Sequence, residues 1–473
     1  MALGPELIPM EFEKPAESDN FLRRFSNNRF ITILTPSFLH KVPETESAEH
    51  RRSTAWLDGV RGVAAFLVFI YHFQHMFHDA YRYGYGSNGG VDDYWLIQLP
   101  YIRMIPNGQT QVSTFFVLSG VSLSLRPLEL IQDHAWEKCF DSLYSSVLRR
   151  YLRLYLPVWL VQIGVLVTTL LGFWNHSQAI RSAWPFQGTN EWMHTVMDDS
   201  WMQTLDWLRT MYDWSNPFAS LWPIYDIHLW TIPLEFRNSI ILFATLLGFS
   251  KLRRPVRLGL TLVLWTYFLC IDLSETAVFY GGMMIAEYMI SQREPRSPLG
   301  SLPSPTRRRD RQTIVRHVGW GFICWIGLHL LSWPPSNSHA SVGYMTLNKI
   351  TPTFIASAGR TWERIGACVF VFALSGSHIL RWPFETRLAT YLGKISFSLY
   401  ITHGPMSHMV GTSIVEAIFK VTGSDTFTGY EGGFLLGFCL TAMICIYVAD
   451  VVTRLVDQPS VKLGRKLQKL CSV

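Results

Sequence analysis

The sequence predicts an all-α fold, a polytopic membrane bundle of about ten transmembrane helices. Of the 473 residues, 49% are hydrophobic and only 16% are charged, a charged share well below that of soluble domains. The mean hydropathy is positive, at +0.16. Long apolar runs recur along the chain, near the length that a membrane-crossing helix needs. These observations argue against a soluble enzyme and for an integral membrane protein, whose partner is the lipid bilayer.

Ten apolar stretches are predicted to form the membrane helices, although several are shorter than the roughly 20 residues of a perpendicular span. They cover residues 58–78, 111–125, 154–173, 230–249, 257–273, 276–291, 317–333, 363–380, 389–410 and 433–453. We expect one membrane domain over residues 54–467 and a short tail at 468–473. Within this domain, the cytosolic loop 292–316 is rich in Pro, Ser and Arg, a composition typical of flexible linkers.

Both ends of the chain are predicted to lie in the cytosol. Residues 1–53 are polar and contain proline and charges, so we expect a partly disordered cytosolic arm without a cleavable signal peptide. Lys and Arg cluster in alternate loops and in the basic tail, and ten helices with both ends inside satisfy the positive-inside rule. Asn175 begins a glycosylation sequon on the predicted luminal side. The default location is the endoplasmic reticulum or a related endomembrane.

Charge and cysteine patterns narrow the function classes. The net charge of +6 is spread in short clusters between apolar segments, which argues against a nucleic-acid partner. The seven cysteines form no C-x-x-C pair, so neither a disulfide framework nor a metal site is predicted. The sequence contains no P-loop, G-x-S-x-G elbow or H-E-x-x-H motif. We expect no bound cofactor and no obligate protein partner.

The first predicted helix carries ionisable residues at both ends. In a helix, Arg61 and His72 lie within about 20° of the same face and about 16 Å apart along the axis. Ionisable side chains at such depth usually face a wet cavity or the bundle interior, and they mark functional sites. We therefore predict that Arg61 and His72 share one cavity, with Arg61 nearer the cytosol.

Two further motifs supply charged side chains. Arg149, Arg150 and Arg153 lie at the cytosolic end of the third predicted helix, where they either anchor the topology or bind the phosphates of a cytosolic cosubstrate. Glu235 and Arg237 lie at the start of the fourth helix. Residues at i and i+2 do not face each other, so each needs another partner. A carboxylate beside an imidazole would orient a catalytic histidine.

Small and polar residues mark two other helices. Ser119 and Gly120 in the second helix serve either close helix packing or cosubstrate binding. Ser396, Tyr400 and His403 fall at i, i+4 and i+7 and form one polar stripe on the ninth helix. That stripe either faces a wet cavity or forms hydrogen bonds with neighbouring helices.

Taken in order, these motifs resemble the acyltransferase 3 family of integral membrane acyltransferases. The resemblance runs over residues 54–467, and its final segment carries Asp457 where the family more often has glutamate. The matching segments are LDGVRG with Arg61 ten residues before His72, Phe115 to Gly120, Arg150 to Pro157, Leu229 to Glu235, FYGGMMIAEY at 279–288, Gly393 to His403, and VDQPSVKLGRKL at 456–467.

This resemblance implies transfer of a short acyl group, foremost acetyl, from acyl-CoA to a hydroxyl of a small-molecule acceptor. The long arm and the aromatic loop 174–229 look like those of fungal members, which often acylate natural products such as terpenoids or polyketides. His72 would be the general base, Arg61 would orient the cosubstrate, and Glu235 would orient His72 or the acceptor. The remaining candidates are Arg149, Arg150, Arg153 and Ser119 for the cosubstrate, and Tyr400, His403, Ser396 and Arg237 for the acceptor or a supporting layer.

An alternative from another class is a proton-coupled transporter or a lipid-moving protein. In this interpretation Arg61, His72 and Glu235 would form a proton relay. Transporters more often show inverted repeats and paired broken helices, which we do not find in the sequence.

Overall fold

The computed structural model describes residues 35–37, 48–90, 92–219, 222–223, 225–292 and 309–471. Residues 46–473 form one compact unit. Across the described ranges the chain is helical, and the β-structure there consists of an isolated bridge between Tyr83 and Ser336. The predicted all-α class is confirmed.

The described part of the chain contains α-helices that we number in chain order. They are α1 (Ala48–His75), α2 (Gly108–Gln132), α3 (Trp136–Leu170), α4 (Asn175–Ala183), α5 (Ser200–Ser215), α6 (Thr231–Gly248), α7 (Arg254–Cys270), α8 (Ser274–Ser291), α9 (Arg309–Leu331), α10 (Met345–Ile350), α11 (Ala358–Gly376), α12 (His378–Arg381), α13 (Arg387–Met406), α14 (Thr412–Thr422), α15 (Phe427–Val452) and α16 (Gln458–Cys471). A π turn at Ser407–Gly411 joins α13 to α14, and another at Thr453–Asp457 joins α15 to α16.

Several described helices are long and apolar enough to cross a membrane. Four qualify alone: Thr54–His75, Gly108–Gln132, Trp136–Leu170 and Phe427–Cys471. A fifth results if Ala358–Gly376 and His378–Phe384, which meet at a bend of 113°, count as one span. The predicted count of ten spans is therefore not established by helix length and composition, although all ten predicted stretches lie largely within helices.

The helices extend beyond the apolar stretches into two segments that the sequence assigns to loops. Residues 126–153, between the second and third predicted membrane stretches, are almost entirely helical, since α2 continues to Gln132 and α3 begins at Trp136. The end of the flexible loop predicted at 292–316 is also helical, because α9 begins at Arg309. The last proline of that loop is Pro305, and the Arg and Gln residues after it favour helix. Residues 293–308 lie outside the described ranges.

Helices also reach into both predicted end segments. The predicted arm 1–53 overlaps α1, which begins at Ala48, and most of the rest of the arm lies outside the described residues. The predicted tail 468–473 is helical as far as Cys471. In both segments, charged and apolar residues with good helix propensity continue the neighbouring helix.

Glycine contacts bring the central helices together. A Cβ on Gly62 of α1 would lie 2.1 Å from the backbone nitrogen of Gly393 in α13, and a Cβ on Gly393 would lie 2.3 Å from the backbone oxygen of Asp58. Similarly, a Cβ on Gly120 of α2 would lie 2.4 Å from the backbone oxygen of Phe279 in α8. Small residues permit such close approach between membrane helices. Gly120 therefore serves packing, and Gly62 and Gly393 allow α1 and α13 to pack closely.

Candidate active site

A cavity of about 560 Å³ lies among α1, α2, α3, α6 and α13. Its volume falls within the range of small-molecule sites, about 300–1,000 Å³. Seven residues that the sequence singled out are among those that line it: Arg61, Ser119, Arg150, Arg153, Glu235, Ser396 and Tyr400. Residues from five helices that are distant in sequence thus meet in one space.

The arginines of the cavity are paired with carboxylates. Arg61 Nη1 donates to Asp58 Oδ1 at 2.7 Å, and its Nη2 donates to Ser122 Oγ at 3.3 Å. Arg150 donates to Glu235 Oε1, and its Nε donates to Ser239 Oγ at 2.9 Å.

The remaining arginine of the cavity, Arg153, donates to Asp457, which lies in the π turn before α16. Each of the three guanidiniums thus has an anionic partner.

One lysine adds an uncompensated positive charge to the cavity wall. Lys394 also lines the cavity and is exposed, and it forms no ion pair or hydrogen bond within the described ranges. The ionisable lining residues are four cations, Arg61, Arg150, Arg153 and Lys394, and three carboxylates, Asp58, Glu235 and Asp457. The cavity therefore favours an anionic ligand.

Other predicted site residues lie outside this cavity. Arg149 instead lines a neighbouring cavity of about 230 Å³ together with Arg150 and Arg153. Arg237 is half-buried, and its Nε has no hydrogen-bond partner in the part of the chain that the structure describes. Asn175 is exposed at the first position of α4. Arg149 and Arg237 are therefore not among the residues that line the larger cavity.

His72 contacts a carboxylate that the sequence did not identify. Glu191 Oε1 accepts a hydrogen bond from His72 Nδ1 at 2.8 Å. The exposed fraction of the His72 side chain is 19%, against 7% for Glu191. The Nε2 atom of His72 makes no hydrogen bond to any described residue. With Nδ1 protonated toward Glu191, Nε2 carries the lone pair that a general base needs.

Glu235 is not a hydrogen-bond partner of His72 among the described residues, and its role toward the acceptor stays a prediction. Glu235 pairs with Arg150 in the cavity, because its side chain faces α3. Glu191 lies instead in the irregular segment between α4 and α5. This segment has no helical periodicity that would show which way the carboxylate points, and the flanking sequence Asn190-Glu191-Trp192 forms no motif.

Three more histidines surround His72. His228 Nε2 lies 3.1 Å from His72 Nδ1 and 3.3 Å from Glu191 Oε1, and His228 Nδ1 donates to Asp226 Oδ1 at 2.6 Å. The His403 ring centroid lies 5.3 Å from that of His72. His408 Nε2 lies 3.4 Å from Glu191 Oε2. We call His72, Glu191, His228 and His403 the histidine cluster.

The π turn after α13 explains how two of these histidines face the same region. In a regular α-helix, His403 and His408 would be five residues and about 140° apart around the axis. The π turn at Ser407–Gly411 has the wider i→i+5 hydrogen bonding. It follows Pro405, which cannot donate a backbone hydrogen bond. The wider turn rotates His408 toward Glu191.

Tyr400 both lines the cavity and contacts the histidine cluster. Its hydroxyl donates to the backbone oxygen of His228 at 2.6 Å and lies 2.6 Å from Thr231 Oγ1. The Tyr400 ring centroid is 5.6 Å from that of His403. His72 is not among the residues that line the cavity. The space that Arg61 and His72 are predicted to share therefore stays a prediction.

Glu191 and His228, which lie outside the α-helices, shift each other's pKa. Burial alone would raise the pKa of Glu191, but the neighbouring imidazoles of His228 and His72 hold this pKa well below its ordinary value. Burial alone would lower the pKa of His228, but the carboxylates of Glu191 and Asp226 raise it above its ordinary value. The two carboxylates thus favour a positive charge between them.

Sequence comparison assigns the chain to a family. The family model for an acyltransferase domain, Acyl_transf_3, matches residues 54–454. The chain belongs to this acyltransferase family. It is an acyltransferase, and its family and apolar helices together indicate a membrane protein. The resemblance that the sequence motifs predicted is confirmed.

Fungal proteins are among the relatives of this acyltransferase. The O-acetyltransferase PaAT-1 of Phomopsis amygdali is 28% identical, over 92% of this chain and 88% of its own. The acyltransferase clz18 of Cochliobolus lunatus is 22% identical, and the acyltransferase R4 of a Phoma species is 23% identical; each match covers 89% of this chain and 97% of the relative. No solved structure matches. These relatives support O-acyl transfer as the activity.

Proposed function

We propose that the protein transfers a short acyl group, foremost acetyl, from acyl-CoA to a hydroxyl of a small-molecule acceptor. The observation that carries this proposal is the pairing of Glu191 with His72 next to a cavity with a surplus positive charge. The pairing suits proton transfer, and the cavity suits an anionic cosubstrate. The acceptor is proposed to be a fungal natural product such as a terpenoid or polyketide, because one relative is named an O-acetyltransferase and all three are fungal.

The proposed reaction needs one proton carrier. His72 Nε2 takes the proton of the acceptor hydroxyl as its oxygen attacks the thioester carbonyl. Glu191 stabilises the resulting imidazolium through Nδ1–H. When the carbon–sulfur bond breaks, the thiolate of coenzyme A leaves and takes the proton from His72. The products are the acylated acceptor and free coenzyme A, and the enzyme returns to its starting state.

The cosubstrate is assigned to the cavity on the side of Arg61, Arg150, Arg153 and Lys394. The three guanidiniums already have carboxylate partners. We therefore assign the direct contacts with the phosphates to a donor that has no such partner. Lys394 has no ion-pair partner among the described residues, and it would bind a phosphate as a point charge. Movement of the Tyr400 ring would connect the thioester in the cavity with His72.

The proposed topology follows from the basic loops. With ten spans and both ends of the chain in the cytosol, the N-terminal part of α1, which carries Asp58 and Arg61, would lie toward the cytosol. Acyl-CoA would enter the cavity from that side. His72 would lie deeper in the membrane. An endoplasmic reticulum or related membrane is the proposed location.

Turnover by the purified protein tests the proposal. We expect acetyl-CoA to raise the melting temperature of the protein in detergent, since a ligand that binds the folded state stabilises it. We expect His72→Gln to lower turnover by about 10²- to 10⁴-fold and the matched variant His329→Gln, outside the histidine cluster, to keep it. A folded His72→Gln enzyme with wild-type turnover would contradict the proposal. Loss of an acylated metabolite in deletion cells would identify the acceptor.

A further inference from the structure

The histidine cluster contains more nitrogen ligands than proton transfer by His72 requires. One ring nitrogen of each of His72, His228 and His403 lies within 4.8 Å of the others. We propose that these three imidazoles and Glu191 form a site for a divalent transition metal such as Zn²⁺, and that its occupancy inhibits acyl transfer. The inhibitory part rests on the proposed function, whereas the metal site does not.

Three candidate ligand atoms already form a compact triangle. The distances are 2.8 Å between His72 Nδ1 and Glu191 Oε1, 3.1 Å between His72 Nδ1 and His228 Nε2, and 3.3 Å between His228 Nε2 and Glu191 Oε1. Zn²⁺ binds N and O ligands at about 2.0–2.2 Å, so ligands on a tetrahedron lie about 3.4 Å apart. The triangle therefore matches one face of such a tetrahedron.

His403 supplies the fourth ligand. Its Nδ1 lies 2.6 Å from the backbone oxygen of Tyr400. A carbonyl oxygen can only accept a hydrogen bond, so Nδ1 carries the proton and Nε2 carries a lone pair. His403 is 1% exposed, and its Nε2 has no hydrogen-bond partner in the described part of the chain. A metal ion would satisfy this buried lone pair.

A second layer of contacts orients the imidazoles as in metal sites. Metal-bound histidines usually donate their other ring N–H to a carboxylate or a backbone carbonyl. His228 Nδ1 donates to Asp226, and His403 Nδ1 donates to Tyr400, which provides one case of each. In addition, the buried carboxylates of Glu191 and Asp226 favour a positive charge at this position, and a metal ion would supply it in place of protons.

The ligand set indicates the class of metal. Imidazole nitrogen suits Zn²⁺, Cu²⁺ and Ni²⁺, whereas Mg²⁺ and Ca²⁺ prefer oxygen ligands. Occupancy would inhibit because the metal takes the Nδ1 lone pair of His72. The proton on this ring then resides on Nε2, which can no longer accept the proton of the acceptor hydroxyl.

The zinc content of the protein tests the metal site, and it is measured independently of acyl transfer. The full-length protein in detergent is loaded with Zn²⁺ and dialysed, and its zinc is counted by mass spectrometry. We expect about one zinc ion per chain in the wild type, much less in His403→Ala, and an unchanged content in the matched control His329→Ala. Asp226→Asn, which removes only the orienting charge, should weaken zinc binding by about 10- to 100-fold. Melting temperatures check that each variant is folded.

Each result decides one part of the inference. A wild-type protein that retains no zinc, or a folded His403→Ala protein that retains as much as the wild type, would overturn the metal site. We expect zinc to inhibit acyl transfer by the wild type, and a chelator to reverse this. Zinc that binds at the site without lowering turnover would overturn the inhibition. A metal-free wild type without acyl transfer would contradict only the proposed function, because zinc content does not depend on turnover.

Discussion

Glu191 and His72 are 119 positions apart in the chain, yet Oε1 of Glu191 lies 2.8 Å from Nδ1 of His72. The contact joins helix α1 to the irregular segment between α4 and α5. It fixes the proton of the imidazole on Nδ1 and leaves the lone pair on Nε2. Glu191 thus decides which nitrogen of His72 can act as the base, a role that carboxylates have in other catalytic pairs.

Glu191→Gln should lower kcat by about 10²-fold or more, with a small effect on KM for acyl-CoA. The amide cannot stabilise the imidazolium that forms during proton transfer. Steady-state kinetics in detergent measure the effect. Glu416→Gln is the matched control, because Glu416, like Glu191, pairs with a histidine, but its partners are His176 and Lys420. A folded Glu191→Gln enzyme that keeps more than about half of its kcat would rule out this role.

Glu235→Gln should reduce stability more than it affects proton transfer. The side chains of Arg150 and Glu235 are 14% and 15% exposed, so removal of the carboxylate leaves a largely buried charge without its partner. We expect a loss of about 1–3 kcal/mol in the free energy of unfolding. Thermal and denaturant unfolding in detergent measure it.

The double variant Arg150→Gln/Glu235→Gln provides the internal check. Because both charges are then absent, it should be less destabilised than the sum of the single variants. An additive double variant would mean that the pair does not interact. Asp272→Asn is the matched control for an exposed pair with Arg360, and we expect it to change stability by less than about 1 kcal/mol.

The sequence predicts the helices and the cavity better than the histidine cluster. Arg61, Ser119, Arg150, Arg153 and Glu235 belong to recognisable helical motifs, and helix packing brings all of them to one cavity. Such motifs place a side chain on a helix face, which is why their convergence can be expected.

Glu191, Asp226 and His228 could not be predicted in the same way. Glu191 and Asp226 lie in irregular segments, and His228 lies in a short 3₁₀ turn, Ile227–Trp230. In such segments sequence spacing does not set the direction of a side chain. The sequence analysis looked for metal ligands in cysteine spacing and therefore missed the candidate metal site, whose ligands come from distant positions in the chain. The contacts of Tyr400 with Thr231 and His228 likewise depend on packing between helices.

Gly393→Ala should destabilise the protein and distort the cavity. A Cβ at this position would lie 2.3 Å from the backbone oxygen of Asp58, so α1 and α13 would have to separate. Overpacking of this kind costs about 1–3 kcal/mol. A shift of Asp58 would also move its partner Arg61. We expect a lower melting temperature and weaker binding of acyl-CoA.

Gly259→Ala is the matched control, because a Cβ there meets no described atom within 4 Å. Alanine favours helix over glycine by about 1 kcal/mol, so this variant should be neutral or slightly stabilised. Equal melting temperatures of the two variants would show that the approach of α1 to α13 is not limited by Gly393.

Lys394→Gln should weaken acyl-CoA binding and leave the chemical step intact. Lys394 is the cavity cation without a carboxylate partner among the described residues, and its loss removes the surplus positive charge. We expect KM for acyl-CoA to rise by about tenfold, which corresponds to about 1.4 kcal/mol, with kcat nearly unchanged. Lys420→Gln is the matched control, since Lys420 is exposed, is paired with Glu416 and does not line the cavity.

The decisive measurement uses an acyl-pantetheine donor, which lacks the nucleotide phosphates. The wild type and Lys394→Gln should use this donor equally well, because the lysine has no phosphate to bind. If Lys394→Gln impaired both donors to the same extent, its role would be to hold the cavity open rather than to bind phosphate.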